Sequence, residues 1–309
     1  MLRFILGRAG SGKTHYIRNT LASIALNGAN DIILIIPEQF SFESEKAMLE
    51  LLGENKAQKV EILSFSRLAD SVFREYGGVS GETIGDGGKA VLMSLALESV
   101  SDKLSIYKKH SKNTAVIADF LSLRREFKKG NVTSDMLMEA SDNMEKSLLK
   151  AKTQEMSLVF AAYDALLKVN FLDEDDVLTR MCDTLDTHNF FAGKTVAIDS
   201  FKGFTAQEMR VIEKIIAQSE ECYISLCCDT LTDDKNGAGT FSLIQRTGMK
   251  IKEIAKKCGK KIAVPVVLRE GKRFRDEALS ALEKGIYEPS SFPYSGDGNN
   301  VCVCRCRDI

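Results

Sequence analysis

The segment best suited to chemistry lies near the N-terminus, where glycines surround a lysine and a threonine. It consists of Gly7, Arg8, Ala9, Gly10, Ser11, Gly12, Lys13 and Thr14, and it matches the pattern G-x-x-x-x-G-K-[ST] in full. An apolar run precedes it and a helical pattern follows it, which is the context that this pattern requires. Glycines let backbone N–H groups and a helix N-terminus face the phosphates of a nucleotide. Lys13 can then pair with those phosphates while the Thr14 hydroxyl binds Mg²⁺. We therefore predict an ATP site here, the alternative being a chance glycine-rich turn.

A second chemical group is Asp199, which follows the apolar run at residues 195–198. A carboxylate at the end of a neighbouring strand can hold Mg²⁺ directly or through water. A hydrolase needs a further carboxylate to orient the attacking water, and Ser200 stands where that residue is expected. Since such groups contribute about 10²–10⁴ in rate, we expect ATP binding with weak or absent hydrolysis. In the alternative, Glu208 or a residue of a partner replaces the missing base.

The elements that position these groups alternate at first between strands and helices. Strands are predicted at 3–6, 31–36 and 60–64, and helices at 13–27, 42–52 and 65–75. Helices alone are predicted at 89–99, 114–128, 134–140, 154–167 and 174–185, and alternation resumes with a strand at 195–198, a helix at 205–217 and a strand at 222–227. This order predicts an α/β fold with a parallel sheet, interrupted by an all-helical insertion of about a hundred residues.

Composition excludes several classes of protein. The chain has 309 residues, of which 44% are hydrophobic and 28% charged, as in soluble globular proteins. Since no apolar run approaches the ~18 residues that a membrane span needs, we expect a cytoplasmic protein with no membrane contact. None of the eight cysteines forms a C-x-x-C pair. Cys302, Cys304 and Cys306 alternate as in a strand, so the cysteines predict no metal site.

The net charge of −1 conceals two basic runs. Residues 103–129 hold eight lysines and arginines against two acids, and residues 250–275 hold ten against two. Each run alone is typical of a solvated face. Beside the nucleotide signals, the two together favour contacts with a nucleic-acid backbone.

Several segments together resemble one family. Gly7–Thr14 is similar to motif I, residues 36–45 to the motif Ia segment, residues 62–69 to motif Ib, residues 171–178 to the segment that closes the helical insertion, and residues 196–207 to motif II of AddB proteins. AddB is the helicase-like subunit of the bacterial AddAB helicase–nucleases, in the UvrD/RecB branch of superfamily 1. The resemblance covers nearly the whole chain, although Ser200, Lys202 and Gly203 depart from the D-E-F-Q-D form of motif II.

The resemblance implies a P-loop NTPase (RecA-like) domain at 1–76 plus 190–270 and a helical insertion domain at 77–189. Residues 271–309 would be a linker and the start of a truncated second motor domain. It also implies contacts with single-stranded DNA by Gln39, Ser41, Phe65, Arg67, Phe201 and Phe204. Aromatic rings suit base stacking and Arg67 suits phosphate or guanine. The alternatives are a core phenylalanine for Phe65 and a surface salt bridge for Arg67.

The resemblance further implies a role. The chain would be the N-terminal helicase-like portion of a protein that processes double-strand DNA breaks for homologous recombination and scans single-stranded DNA for Chi, with AddA as its partner in a heterodimer. The nuclease and its 4Fe–4S cluster would lie in a C-terminal region outside this chain, which we expect to be a fragment. One alternative is an active, DNA-stimulated superfamily 1 ATPase or helicase motor. Another is a P-loop regulator that does not bind DNA.

Overall fold

The computed structural model describes residues 1–78, 82–173, 176–232, 239–274, 276–286, 293–298, 301–302 and 304–305. The chain forms two compact units. We call the first the α/β unit, which comprises Met1–Phe65, Phe190–Phe204 and Ile212–Ile309. The second, the helical unit, comprises Ser66–Asn189 and Thr205–Val211. None of the helices in the described part of the chain is long and apolar enough to span a membrane.

Eight strands and twelve α-helices occur within the described residues. The strands are β1 (Leu2–Gly7), β2 (Ile32–Ile35), β3 (Val60–Leu63), β4 (Glu82–Thr83), β5 (Phe171–Leu172), β6 (Thr195–Ile198), β7 (Glu221–Leu226) and β8 (Val266–Leu268). The helices are α1 (Lys13–Leu26), α2 (Ser41–Leu52), α3 (Glu54–Ala57), α4 (Phe65–Tyr76), α5 (Asp86–Ser99), α6 (Thr114–Lys129), α7 (Ser134–Asp142), α8 (Leu148–Asn170), α9 (Val177–Thr187), α10 (Ala206–Gln218), α11 (Ser242–Lys257) and α12 (Glu277–Gly285).

The α/β unit is built on a six-stranded sheet with the order β3-β2-β6-β7-β1-β8, in which every pairing is parallel. The strands are almost continuous apolar runs because helices cover both faces of a parallel sheet. All four residues of β2 are buried, and Ile17 and Leu21 of α1 pack against the same core. The predicted α/β class and its parallel sheet are confirmed.

The helical unit corrects one sequence-based expectation. No strand was expected between residue 77 and residue 195, but β4 and β5 form a parallel pair in which Glu82 is opposite Phe171. Two-residue strands carry no periodicity, so a pattern search cannot detect them. The predicted helix at 174–185 begins with two residues that lie outside the described ones, and α9 starts at Val177. The expected strand at 301–309 is not seen at residues 301–302 and 304–305, and the rest of it lies outside the described residues.

Short polar residues set where the helices of this unit begin. The Asn113 side chain accepts hydrogen bonds from the backbone N–H groups of Ala115 and Val116 at the start of α6. Thr133 caps α7 in the same way and Ser147 caps α8. Each cap satisfies an otherwise unpaired N–H group and typically contributes about 1 kcal/mol.

Two groups of buried charges hold the helical unit together. Lys128 lies 2.5 Å from Asp173 and 2.7 Å from Asp176, and Lys89 approaches Asp173 to 2.8 Å. Arg124 makes two hydrogen bonds with Asp164, of 3.1 and 2.6 Å. Removing one partner of such a buried pair costs about 3–5 kcal/mol, because the other charge remains buried. The basic run at 103–129 is therefore not one solvated or DNA-facing surface, as the sequence suggested, because part of it lies in the interior.

A third buried charge is Glu155 of α8, which is 5% exposed. Its carboxylate accepts hydrogen bonds from the backbone N–H groups of Ser105, Ile106 and Tyr107 and from the Ser105 hydroxyl. Burial disfavours the charged carboxylate, but these hydrogen bonds outweigh burial and lower the pKa of Glu155. Glu155 thus fixes a loop that has no regular secondary structure.

Replacing Glu155 with glutamine should destabilise the protein at neutral pH, by about 1–3 kcal/mol, because buried donors lose their charged acceptor. The folded-state pKa lies below the ordinary value of 4.5, so the stabilisation by Glu155 is complete above that value and is lost as the pH falls through the folded-state pKa. Urea unfolding followed by circular dichroism should therefore show a large difference between wild type and Glu155→Gln near neutral pH. That difference should shrink in acid.

The exposed carboxylate of Glu139 provides the control, since Glu139→Gln should change little at either pH. A wild-type advantage over Glu155→Gln that is the same in acid as at neutral pH would contradict the role of the charge.

Candidate nucleotide-binding site

The loop between β1 and α1 needs its glycines for conformational and for steric reasons. Gly10 and Gly12 have φ angles of +80° and +91°, in the left-handed region that L side chains rarely adopt. A Cβ atom on Gly10 would also clash with the Cβ of Arg273. These glycines let the loop turn back on itself so that α1 begins at Lys13.

The N-terminus of α1 is arranged to receive an anion. No side chain caps the helix and its first turn contains no acidic residue, so its positive end is not neutralised within the helix. The Ser11 hydroxyl is buried and has no hydrogen-bond partner among the described residues. Lys13 Nζ donates to the carbonyl oxygens of Gly7 and Arg8, at 2.7 and 2.8 Å. The lysine charge is thereby held inside the loop, where a bound phosphate could exchange with the carbonyl groups.

Arg8 differs from the other loop residues because it is already paired with acids. Its Nε lies 2.9 Å from Asp229, its Nη1 lies 3.3 Å from Glu283, and its guanidinium lies 5.3 Å from the centre of the Phe241 ring. Within the α/β unit, these contacts tie the loop to the segments after β7 and to α12. Arg8 therefore anchors the loop, and its charge is only partly available to a ligand.

The structure brings Asp199 and Ser200 to the same loop. Thr14 Oγ1 and Ser200 Oγ are 3.5 Å apart, and the Ser200 hydroxyl donates to Asp199 at 3.1 Å. Asp199 is 2% exposed, and its other oxygen accepts a hydrogen bond from the Ser225 hydroxyl. Ser200 has a φ of +67°, an unusual conformation for a residue other than glycine. Thr14, Asp199, Ser200 and Ser225 form a cluster of oxygen ligands, which we call the oxygen cluster.

The residues expected to contact DNA fall into two groups within the α/β unit. Phe65, Phe201 and Phe204 pack together, with the centre of the Phe65 ring 5.3 Å from that of Phe201 and 6.4 Å from that of Phe204. Phe65 is only 5% exposed, as in the core alternative, whereas Phe201 and Phe204 are half-buried. Gln39 and Ser41 lie after β2, with Gln39 exposed and the Ser41 hydroxyl buried without a partner among the described residues.

Arg67 lies in the first turn of α4 and belongs to the helical unit. Its side chain is exposed. The expected roles of all six residues in DNA binding remain predictions.

Sequence reasoning missed residues that approach the loop from a distant segment. The backbone N–H of Lys272 donates to the carbonyl of Gly10 at 2.9 Å, and the Arg273 side chain lies against the same glycine. Lys272 also lines a cavity of 430 Å³ beside Ser11, Gly12, His15 and Tyr16, within the usual volume range of small-molecule sites. The basic run at 250–275 signalled a charged segment, but β8 is too short to be predicted, so its position beside β1 could not be foreseen.

Comparison with known proteins places this geometry in a family. The family model described as "ADDB, N-terminal" matches residues 4–283, which include the loop, the oxygen cluster and most of the helical unit. The chain belongs to this family. The predicted resemblance to AddB proteins is therefore confirmed, and the match also covers Lys272 and Arg273.

Similar full-length proteins are named as subunits of an ATP-dependent helicase/deoxyribonuclease. The protein from Thermoanaerobacter sp. (strain X514) is 31% identical over 312 residues, which cover 100% of this chain and 27% of that protein. The protein from Clostridium botulinum (strain Langeland / NCTC 10281 / Type F) is 33% identical over 313 residues, covering 98% and 27%. The protein from Clostridium kluyveri (strain NBRC 12016) is 35% identical over 297 residues, covering 95% and 26%. The chain thus spans about a quarter of the length of these relatives.

Lys13→Ala should abolish stabilisation by ATP, because the loop loses the charge that pairs with phosphates. A saturating ligand stabilises the folded state by about 3 kcal/mol at a hundred times its Kd, which corresponds to several degrees in Tm. Thermal unfolding with and without Mg·ATP should show this shift in wild type. The variant should show none.

Lys56→Ala removes an exposed lysine of α3 and should keep the full shift, which makes it a matched control. An equal Mg·ATP shift in Lys13→Ala would refute the assignment of the loop.

Proposed function

We propose that this chain is the ATP- and DNA-binding N-terminal part of an AddB protein of a helicase/deoxyribonuclease, and that it binds ATP without turning it over rapidly. Family membership and the names of the relatives support the general role. The α/β unit is then a P-loop NTPase domain, and the helical unit is its insertion domain. Beyond this chain we expect the second motor domain, a nuclease with a 4Fe–4S cluster, and AddA as the partner.

The observation that carries this proposal is the position of Ser200. It lies between Thr14 and Asp199 and binds to both through its hydroxyl, at 3.5 and 3.1 Å. A neutral hydroxyl cannot take a proton from water at neutral pH, so the residue beside Asp199 provides no general base. The absence of such a group typically lowers the rate by about 10²–10⁴. The site is therefore suited to holding a nucleotide more than to cleaving it.

The oxygen cluster has the chemistry that Mg²⁺ requires. Mg²⁺ prefers hard oxygen ligands, and it is commonly held by one or two carboxylates together with phosphate and water. Thr14 and Asp199 would hold the ion, which neutralises charge on the triphosphate when it is bound. Ser225 and Ser200 donate to the two oxygens of Asp199 and thereby fix the orientation of its carboxylate.

The alternative is a working ATPase in which Glu208 serves as the base. Glu208 accepts a hydrogen bond from the backbone N–H of Thr205 at 2.7 Å, and its own N–H donates to the Thr205 hydroxyl at 3.2 Å. This reciprocal pair is the capping box expected at the start of α10. A carboxylate used in this way is held by its own helix, which favours slow turnover.

In the proposed role, single-stranded DNA passes over the edge of the sheet where the strands end. Gln39 and Ser41 follow β2, Phe65 follows β3, and Phe201 follows β6, and these three strands are neighbours in the order β3-β2-β6. Ligands of parallel α/β sheets bind at this edge. Phe201 and Phe204 are the more accessible rings for stacking, since Phe65 is covered by both.

The first measurement is binding and hydrolysis of Mg·ATP by the chain, with and without single-stranded DNA. We expect binding in the micromolar to millimolar range that is typical of nucleotide sites, with turnover at least ~10²-fold below that of a working motor and no stimulation by DNA. Asp199→Asn should weaken the dependence of binding on Mg²⁺. DNA-stimulated hydrolysis by the wild type would instead establish the alternative.

The proposed DNA contact is tested through Arg67. Arg67→Ala should weaken binding of a single-stranded oligonucleotide about tenfold, or about 1.4 kcal/mol, because a charge-assisted contact is lost. Arg74→Ala removes an exposed arginine from the same helix and is the matched control. Equal affinities of the two variants in fluorescence anisotropy would argue against a specific role of Arg67.

A further inference from the structure

The basic run at 103–129 separates into two kinds of charge in the structure. Arg124 and Lys128 are buried ion-pair partners, and Arg125 and Lys129 lie 3.8 Å from Asp86 and Glu126. By contrast, Lys108, Lys109 and Lys112 are exposed, and none of the three has an ion-pair partner among the described residues. They lie within five positions of each other in residues 104–113, which we call the basic loop.

The basic loop is held in place from below by a charged frame. Glu155 accepts the N–H groups of Ser105, Ile106 and Tyr107 at 2.7 to 3.1 Å, and the Ser105 hydroxyl at 2.6 Å. Leu104, at the start of the loop, is 4% exposed and belongs to the core of the helical unit. The loop therefore has one conformation although it lies outside any helix or strand.

Further contacts hold the second half of the loop. The Tyr107 ring meets Phe120 edge-on with 4.9 Å between ring centres, and the Ser94 hydroxyl donates to the carbonyl of Ser111 at 2.5 Å. Asn113 then begins α6 as its cap. The three lysines thus project from a backbone that is fixed at both ends and in the middle.

We propose that the basic loop binds the phosphodiester backbone of DNA and that Glu155 is a positioning residue for this contact. The inference rests on the proposed function, to which it adds a contact site in the helical unit. Three like charges close together repel one another, and a bound polyanion relieves that repulsion. Lysines are point charges without a base-reading geometry, so the contact is independent of sequence. A prearranged loop binds with a smaller loss of conformational entropy than a loop that must first be ordered.

The test is the salt dependence of DNA binding by the whole chain, measured by fluorescence anisotropy. Each phosphate contact in duplex DNA contributes about 0.9 to the slope of log K against log salt, and in single strands about 0.7. Replacing Lys108, Lys109 and Lys112 together with alanine should reduce the slope by about 2–3 and the affinity at least tenfold at low salt. Separate blunt-duplex and single-strand probes show which form of the backbone is bound, and a loss with either one supports the proposal.

The matched control replaces Lys56, Lys129 and Lys146, three exposed lysines elsewhere, so that the net charge changes equally. It should reduce the slope by less than about 1. If both triple variants have the same slope while Arg67→Ala still weakens binding, the basic loop is refuted and the proposed function stands. If the wild type binds neither probe, the proposed function is wrong and the inference is wrong with it.

The role of Glu155 has a separate readout of opposite sign to simple charge attraction. Glu155→Gln removes a negative charge near the loop, so electrostatics alone predicts tighter DNA binding. Loss of the frame predicts weaker binding, by several-fold, with the lysines unchanged. The measurement is made well below the melting temperature of the variant. Unchanged or tighter binding would show that Glu155 does not position the loop for DNA.

Discussion

The six parallel strands of the α/β unit all end at the same edge of the sheet, and the chemistry of this chain depends on that constraint. A parallel strand can only be reached by a crossover, so successive strands deliver their following residues to one side. Thr14 and Ser200 are 186 positions apart in the sequence, yet their hydroxyl oxygens are 3.5 Å apart. The loop after β1, the segment after β2, the aromatic residues after β3 and β6, and Asp199 all meet this requirement.

Within that arrangement, the balance of charge determines what the site can do. Lys13 and the uncapped N-terminus of α1 provide positive potential, and the buried Asp199 provides the negative ligand that a cation needs. Ser200 stands beside it with a hydroxyl in place of a second carboxylate. Binding and turnover require different groups, and this site has the first set complete and lacks an evident base for the second.

In the helical unit, burial sorts charges that look alike in the sequence. Lys128 and Lys112 belong to one basic run, but Lys128 is 7% exposed and sits between two aspartates, whereas Lys112 is exposed. A buried lysine must be paired, since the desolvation of an unpaired charge is too costly. The acids that hold it come from β5 and the turn before α9, which is why the helices of this unit pack in a fixed arrangement.

The sequence by itself determined the elements and the chemistry of the phosphate loop. Periodicity, glycines and caps act over short distances, so β1, α1, β2, β3 and β6 and most helices of the insertion could be predicted to within a few residues. Motif patterns were enough to identify Lys13, Thr14 and Asp199. Beyond residue 228, α11, β8 and α12 were not predicted, because a three-residue strand carries too little periodic signal.

Only the tertiary structure decided which charges are paired, which aromatic rings are covered and which distant residues reach the loop. Lys272 and Arg273 contact Gly10 because β8 pairs with β1, and Glu155 orders residues 105–107 across about fifty positions of sequence. Phe65 is buried because Phe201 and Phe204 pack against it. Contacts of this kind depend on sheet order and side-chain packing, and these bring together residues whose separation in the sequence carries no information about their distance in space.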